Sequence, residues 1–198
     1  MLENTIALLT VALPLMGSPG PAIVSLAATG STFGFARGLR YLAGILLGNS
    51  TVLLMVATGI TGMVLAMPAA VPVLTGIGLA YLLYLAWKIA TAPVVRTVAE
   101  PGQEPTTAGG YLLSLVNPKA YAAIGAVYAS GSIVPDDPVL DTALKIAVLI
   151  GVNIIVNTSW LGIGAAFSSV LRNPRTGRAL NWSLAGLLLA SVAYTVLR

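Results

Sequence analysis

The stretch "MGSPGPAIVS", residues 16–25, places two prolines and two glycines inside a run with no charged side chain from Asn4 to Ala36. A membrane-spanning helix needs about 20 mainly apolar residues, and this run supplies them. Proline suits the first turn of a helix but pushes the residue before it out of helical geometry. Serine is a good N-cap, so Ser18-Pro19 reads as the end of one half-helix and the start of another within a single span.

Composition shows that the run is typical of the whole chain. Of 198 residues, 57% are hydrophobic and 8% charged, against roughly 25% charged in a soluble domain. Charge-free stretches cover 4–36, 41–87, 105–118, 120–135, 146–171 and 179–197, so the chain is membrane domain throughout. Six spans are expected, at 4–27, 41–66, 70–92, 109–131, 141–169 and 179–197. Long apolar runs such as "LAYLLYLAWKIA" favour helices over barrel strands, which alternate over about ten residues. Before the first apolar run the only charged side chain is Glu3. The N-terminus therefore reads as a retained helix, not a secretion signal, which would carry Lys or Arg there.

The net charge of +4 is explained by position, and no nucleic-acid partner is expected. Arg37, Arg40, Lys88, Arg96, Arg172, Arg175 and Arg178 fall between spans one and two, three and four, and five and six, whereas the opposite side has Lys145 and Arg198. The excess marks the cytoplasmic face and puts both termini outside. "RNPRTGR", residues 172–178, reads as a topogenic loop, with a lipid-binding patch as the other reading. The segment "APVVRTVAEPGQEPTTAGG", 92–110, is rich in Pro, Gly and Thr and reads as a cytoplasmic linker. It divides the chain into a first three-helix half, 1–91, a linker, 92–108, and a second half, 109–198. An odd number of spans per half makes the halves, if related, inverted with respect to each other.

Span four repeats the opening feature. In "SLVNPKAYAA", 114–123, Asn117-Pro118 interrupts the apolar run as Ser18-Pro19 does in span one. A break inside a bilayer frees backbone groups at several kcal/mol each unless protein or water satisfies them. Such breaks belong beside a cavity. Interrupted first helices in two inverted halves are the sequence pointer to the central site of a secondary transporter. Ordinary proline kinks, which membrane helices tolerate, are the alternative. The half-helix N-termini at Ser18 and Asn117 would offer N–H groups and positive dipole ends to a carboxylate.

Over nearly its full length the chain resembles the LysE/RhtB family of amino-acid exporters. The resemblance rests on "GSPGPAIVSLAATGSTFGFARGLRYLAGILLGN", with Pro19-Gly20-Pro21 followed by Gly34, Gly38, Gly44 and Gly48, on "GLAYLLYLAWKI" and on "GGYLLSLVNPKAY". It implies a small bacterial inner-membrane exporter of amino acids or related metabolites. The family often has an acidic residue just after the second-span glycines, where this chain has Asn49. Every carboxylate here lies in an expected loop or at a span end, and histidine is absent. Proton antiport through an intramembrane carboxylate is therefore not supported.

The expected substrate-binding set is Ser18, Pro19, Gly20, Pro21, Asn49, Asn117, Pro118, Lys119, Asn153 and Asn157. Lys119 is the only ionisable side chain well within an expected span, which makes it a functional candidate. It sits at a helix N-terminus, the unfavourable end for a cation. A substrate carboxylate would relieve that conflict, and so would snorkelling to the surface. Asn153 and Asn157 share one helical face and either complete a polar site with Asn49 and Asn117 or bond helices together. Gly34, Gly38, Gly44 and Gly48 read as points of close helix approach. Trp87, Tyr84 and Trp182 read as interface anchors.

The fold expected is all-α integral membrane, with six helices as two inverted halves and spans one and four broken at proline. The function expected is export by alternating access, with a channel-like facilitator or a non-transporting scaffold as alternatives. No Cys, His or intramembrane carboxylate builds an enzyme centre, so no catalytic residue, metal or cofactor is expected. The partners expected are a small-molecule substrate, membrane lipid and, compatibly, further copies of the chain.

Overall fold

A computed structural model of the chain describes residues 1–59 and 105–166, with isolated positions 76, 80, 83, 87, 178, 179, 182, 183 and 186. These residues form helices and no strand: α1 (Leu2–Gly17), α2 (Pro21–Phe33), α3 (Phe35–Ala57), α4 (Thr107–Leu115), α5 (Pro118–Ala129) and α6 (Pro138–Ala166). The spans expected at 70–92 and 179–197, and the linker through 104, lie outside the described residues apart from those isolated positions.

At about 1.5 Å per residue, the 23 residues of α3 and the 29 of α6 cover about 35 and 43 Å, enough for a hydrocarbon core of about 30 Å. The pair α1 and α2 forms a third apolar candidate, bent by 64° at its break. The expected first loop is nearly absent. Helix α2 runs to Phe33 and α3 starts at Phe35, so Gly34 alone turns the chain, at φ +82°. That backbone region favours glycine. Arg37 and Arg40 therefore lie on the first turns of α3 and not in a loop.

Helix α6 likewise starts before the expected boundary. Asp137 accepts from the N–H groups of Val139 and Leu140 at 3.1 and 3.0 Å, the pattern of an N-cap with Pro138 in the first position. Lys145 is consequently in the second turn of α6, buried, and paired with Asp141 at 3.0 Å. A residue read as belonging to the outer surface is held inside by a partner one turn away.

The bundle has two differently built ends. At one end Thr107 donates to the Arg40 carbonyl (3.0 Å) and α2, the start of α3, α4 and the end of α6 converge. Here backbone meets backbone. A Cβ on Gly30 would overlap the Leu161 carbonyl, and one on Gly164 would overlap that of Ala27. Between α3 and α4, Cβ atoms on Gly44, Gly48 and Gly110 would meet Thr107, Tyr111 and Tyr41 backbone atoms at 3.0 Å or less. Small residues allow this approach, in which van der Waals contact and interhelical hydrogen bonds replace a hydrophobic driving force. Tyr41 donates to the Ser25 hydroxyl (2.9 Å) and Ser114 to the Ile45 carbonyl (3.2 Å) across the same seams.

At the opposite end Asn4 donates to the Ile133 carbonyl (3.2 Å), and the packing is of side chains. Leu8, Ala12, Val127, Ile133 and Leu149 fill the space between α1, α5 and α6, while Cβ atoms on Gly125, Gly131 and Gly151 would meet nothing within 4 Å. Asp141 accepts from the N–H groups of Ile133 and Val134 at 2.6 and 3.0 Å, fixing the turn between α5 and α6. Large apolar side chains including Ile6, Leu13, Leu47, Leu54 and Ile155 are exposed on the described surface, as helices facing lipid require.

Candidate functional site

The two broken helices meet. Around the breaks lies a cavity of about 40 Å³ whose wall includes Gly20, Ala22, Asn49, Asn117, Lys119 and Asn157. That volume holds a few waters, and the cavity is only partly enclosed.

The break at Ser18 differs from its expected form. Ser18 ends α1 and does not cap α2: its N–H donates to the Pro14 carbonyl and its hydroxyl to that of Leu15, both at 2.9 Å. Pro19 and Pro21 each force the preceding residue to be extended, giving ψ of 145° at Ser18 and 179° at Gly20. The break is thereby widened to residues 18–20, and Gly20 becomes the N-cap with Pro21 at the first position. Asn117 behaves as the sequence suggests. Its Oδ1 accepts from the Lys119 N–H at 3.1 Å, and Pro118 opens α5.

Lys119 resolves the conflict raised by its position within the protein itself. The ammonium leaves the positive end of α5, crosses the break and donates to the Ser18 carbonyl, at the negative C-terminal end of α1. Gly20 gives it passage, since a Cβ there would lie 3.0 Å from Nζ and 3.2 Å from Cε. The adjacent freed carbonyl, of Gly17, accepts from the Trp160 indole N–H at 3.2 Å. Both of these carbonyls at the C-terminal end of α1 are thus satisfied from the other half of the chain, as a break in a bilayer demands.

The N-termini of the two second half-helices are not equivalent. In α5 the Lys119 N–H is taken by the Asn117 side chain and the Ala120 N–H by the Asn117 carbonyl. In α2 the Ala22 and Ile23 N–H groups precede the first intrahelical bond, Val24 to Gly20, and have no acceptor within the helix. Both residues line the cavity. Donor capacity for an anion is therefore concentrated at α2 and Lys119.

Asn49, Asn153 and Asn157 form one network. Asn153 donates to the Leu46 carbonyl (3.2 Å), and its Oδ1 accepts from Asn49 (2.9 Å) and Asn157 (2.8 Å). Asn157 also donates to the Asn153 carbonyl at 2.8 Å. All three are buried. Asn49 and Asn157 reach the cavity wall while Asn153 stands behind them as the hub.

Of the expected set, the structure brings Gly20, Asn49, Asn117, Lys119 and Asn157 to one cavity. Ser18 lends its carbonyl, Pro21 is buried in α2, and Pro19 and Pro118 are exposed shapers of the breaks. Sequence reading missed Trp160, although it follows Asn153 by seven and Asn157 by three residues and so shares their helical face. It also missed the pair of Asp141 and Lys145, whose spacing of four on one helix was the available signal. Among the described residues the cavity wall contains no carboxylate. Trp87 and Trp182 are exposed, as interface anchors would be; Tyr84 lies outside the described residues.

Comparison with known proteins gives this arrangement a family. The chain is similar to the cysteine/O-acetylserine efflux protein of Salmonella typhimurium, 31% identical over 175 residues that cover 86% of each chain. It is also similar to the proteins of the same name from Escherichia coli O157:H7, 32% identical over 87% of each, and Escherichia coli K12, 31% identical over 86% of each. No solved structure matches it. The family of LysE type translocators matches residues 13–198, a range that contains both helix breaks and every residue of the cavity wall, and the chain belongs to that family.

Proposed function

We propose that this chain exports small amino acids of the neutral, zwitterionic kind across the bacterial inner membrane by alternating access around the cavity between its broken helices. The observation that carries the reading is the meeting of the two breaks at a partly enclosed cavity with Asn49, Asn117, Lys119 and Asn157 in its wall, in a LysE type translocator. Relatives named for efflux of cysteine and O-acetylserine point to the substrate class, and both of those solutes are compact zwitterions. The substrate carboxylate is held at the α2 N-terminus, by the Ala22 and Ile23 N–H groups with Lys119 alongside. The arginine-bearing end of α3 faces the cytoplasm by the excess of basic residues, and both termini lie outside. Six spans in two inverted halves supply the rocking elements.

Alternating access requires each end to seal in turn. The glycine-lined seams close the arginine end by backbone contact, and the apolar cluster around Leu8, Val127 and Leu149 closes the other. Among the described residues no carboxylate stands in the cavity wall to carry a proton beside the substrate. A saturable flux separates this carrier from a channel.

The test is efflux from cells preloaded with labelled amino acids, comparing the intact chain with Lys119→Ala at matched membrane levels. Saturable export that the variant lacks is the expected result. Undiminished export by Lys119→Ala removes Lys119 from the site, and no export of any solute by the intact chain removes the exporter reading.

A further inference from the structure

Among the described residues one buried side-chain polar atom has no partner: the Oδ1 of Asn49, a residue of the cavity wall. The residue is 9% exposed, so solvent does not supply the missing bond freely. We infer that this oxygen is the acceptor that reads a donor group of the solute, and that its neutrality sets the charge class the site takes. The inference rests on the exporter reading above and names its solute more narrowly.

The orientation of the amide follows from a backbone group. The Leu46 carbonyl can only accept, so the Asn153 nitrogen must face it. That turns the Asn153 oxygen toward Asn49 and Asn157, and each of them must offer it an N–H. The oxygen of Asn49 is thereby left facing away from the network in a residue that forms part of the cavity wall. Flipping the Asn49 amide would oppose two oxygens, so the unpaired acceptor is held in place by the whole network.

A buried acceptor without a donor forfeits the hydrogen bonds it made in water. A solute ammonium at this position restores one, and a charge-assisted one. The rest of the wall is neutral or positive: Lys119, the α2 N-terminus, Asn117 and Asn157. A zwitterion satisfies both ends of this arrangement, its carboxylate at α2 and its ammonium at Asn49. A solute with an additional positive charge finds no counter-charge among the described lining residues and must be desolvated without compensation there. Position 49 is thus a specificity-determining residue that favours neutral amino acids over lysine or arginine.

The experiment uses the full chain purified and reconstituted in vesicles, with serine, O-acetylserine, lysine and aspartate as probes. Two readouts are taken: efflux, and the shift of the melting curve on adding each probe in detergent. Asn49→Leu keeps the approximate shape and removes the acceptor. It is expected to lower binding and efflux of the neutral solutes about 10- to 100-fold, the range for a lost hydrogen bond to a charged group. Asn49→Asp supplies a carboxylate and is expected to raise the ratio of lysine to serine at least about tenfold. That ratio is internal to each preparation, so it decides the matter even where Asn49→Leu fails to fold.

Neutral-solute binding unchanged in Asn49→Leu, or an unchanged ratio in Asn49→Asp, overturns the inference. An intact chain that binds serine but does not export it overturns the exporter reading and leaves the Asn49 site standing. An intact chain that neither binds nor moves any probe removes both.

Discussion

Substituting Gly164 by alanine tests whether the seams at the arginine end hold the bundle by backbone contact. The added Cβ would overlap the Ala27 carbonyl oxygen and lie 2.8 Å from its carbon and from the Ala27 Cα, where ordinary contact begins at 3.4 Å. None of these atoms can rotate aside, so α6 must withdraw from α2 by more than about half an ångström. The partner seam point is equally tight, because a Cβ on Gly30 would overlap the Leu161 carbonyl and lie 2.9 Å from the Ala165 nitrogen. Overpacking of this kind costs about 1–3 kcal/mol, which at about 2–4 °C per kcal/mol for a chain of this size lowers the melting temperature by about 5 °C. Gly151→Ala is the matched control, since its Cβ would meet nothing within 4 Å on the same helix. It carries only the gain in helix propensity, up to about 1 kcal/mol. The assay is melting of the detergent-solubilised chain followed by gel filtration, with efflux measured in parallel. Gly164→Ala melting together with Gly151→Ala would refute backbone packing as the basis of that seal.

Trp160→Phe removes the indole donor from the Gly17 carbonyl and keeps the ring; it is expected to cost about 1 kcal/mol in melting stability and to slow efflux by loosening the end of α1. Unchanged melting and efflux would show that water satisfies that carbonyl instead. Asp141→Asn keeps an acceptor for the Ile133 and Val134 N–H groups but leaves Lys145 buried without its counter-charge, beside the Tyr128 ring at 5.0 Å and the Tyr128 carbonyl at 3.3 Å. A loss of several degrees is expected. Adding Lys145→Met should restore most of it, because an uncompensated buried charge costs more than a missing pair. A double variant no more stable than Asp141→Asn would place the loss in the turn and not in the ion pair.

The sequence by itself determined that the chain is a helical membrane protein, that two of its helices are interrupted, and where. Those properties are local. Hydropathy over twenty residues decides burial in lipid, and proline acts on its own peptide and the one before it. The residue types of the cavity were legible for the same reason, since a polar side chain in an apolar run is visible without knowing its neighbours. Glycines near Arg37 and Arg40 were less legible, because a loop and a closely packed helix pair use the same residue. Gly34 proved to be the turn, while Gly30, Gly38, Gly44 and Gly48 proved to be contact points.

Only the tertiary structure decided what the polar groups do. Lys119 looked like a cation at the wrong end of a helix because its partner, the Ser18 carbonyl, is 101 residues away in sequence. Asn49 meets Asn153 across 104 residues, and a backbone carbonyl on α3 fixes which way all three amides face. Ser18 lost its capping role to a second proline two residues beyond the first. Hydrogen bonds depend on distance and direction within a few tenths of an ångström, which composition and spacing do not encode. The packing of α2 on α6 and of α3 on α4 brings these atoms together, and among the described residues it leaves one buried side-chain acceptor, on Asn49, without a partner.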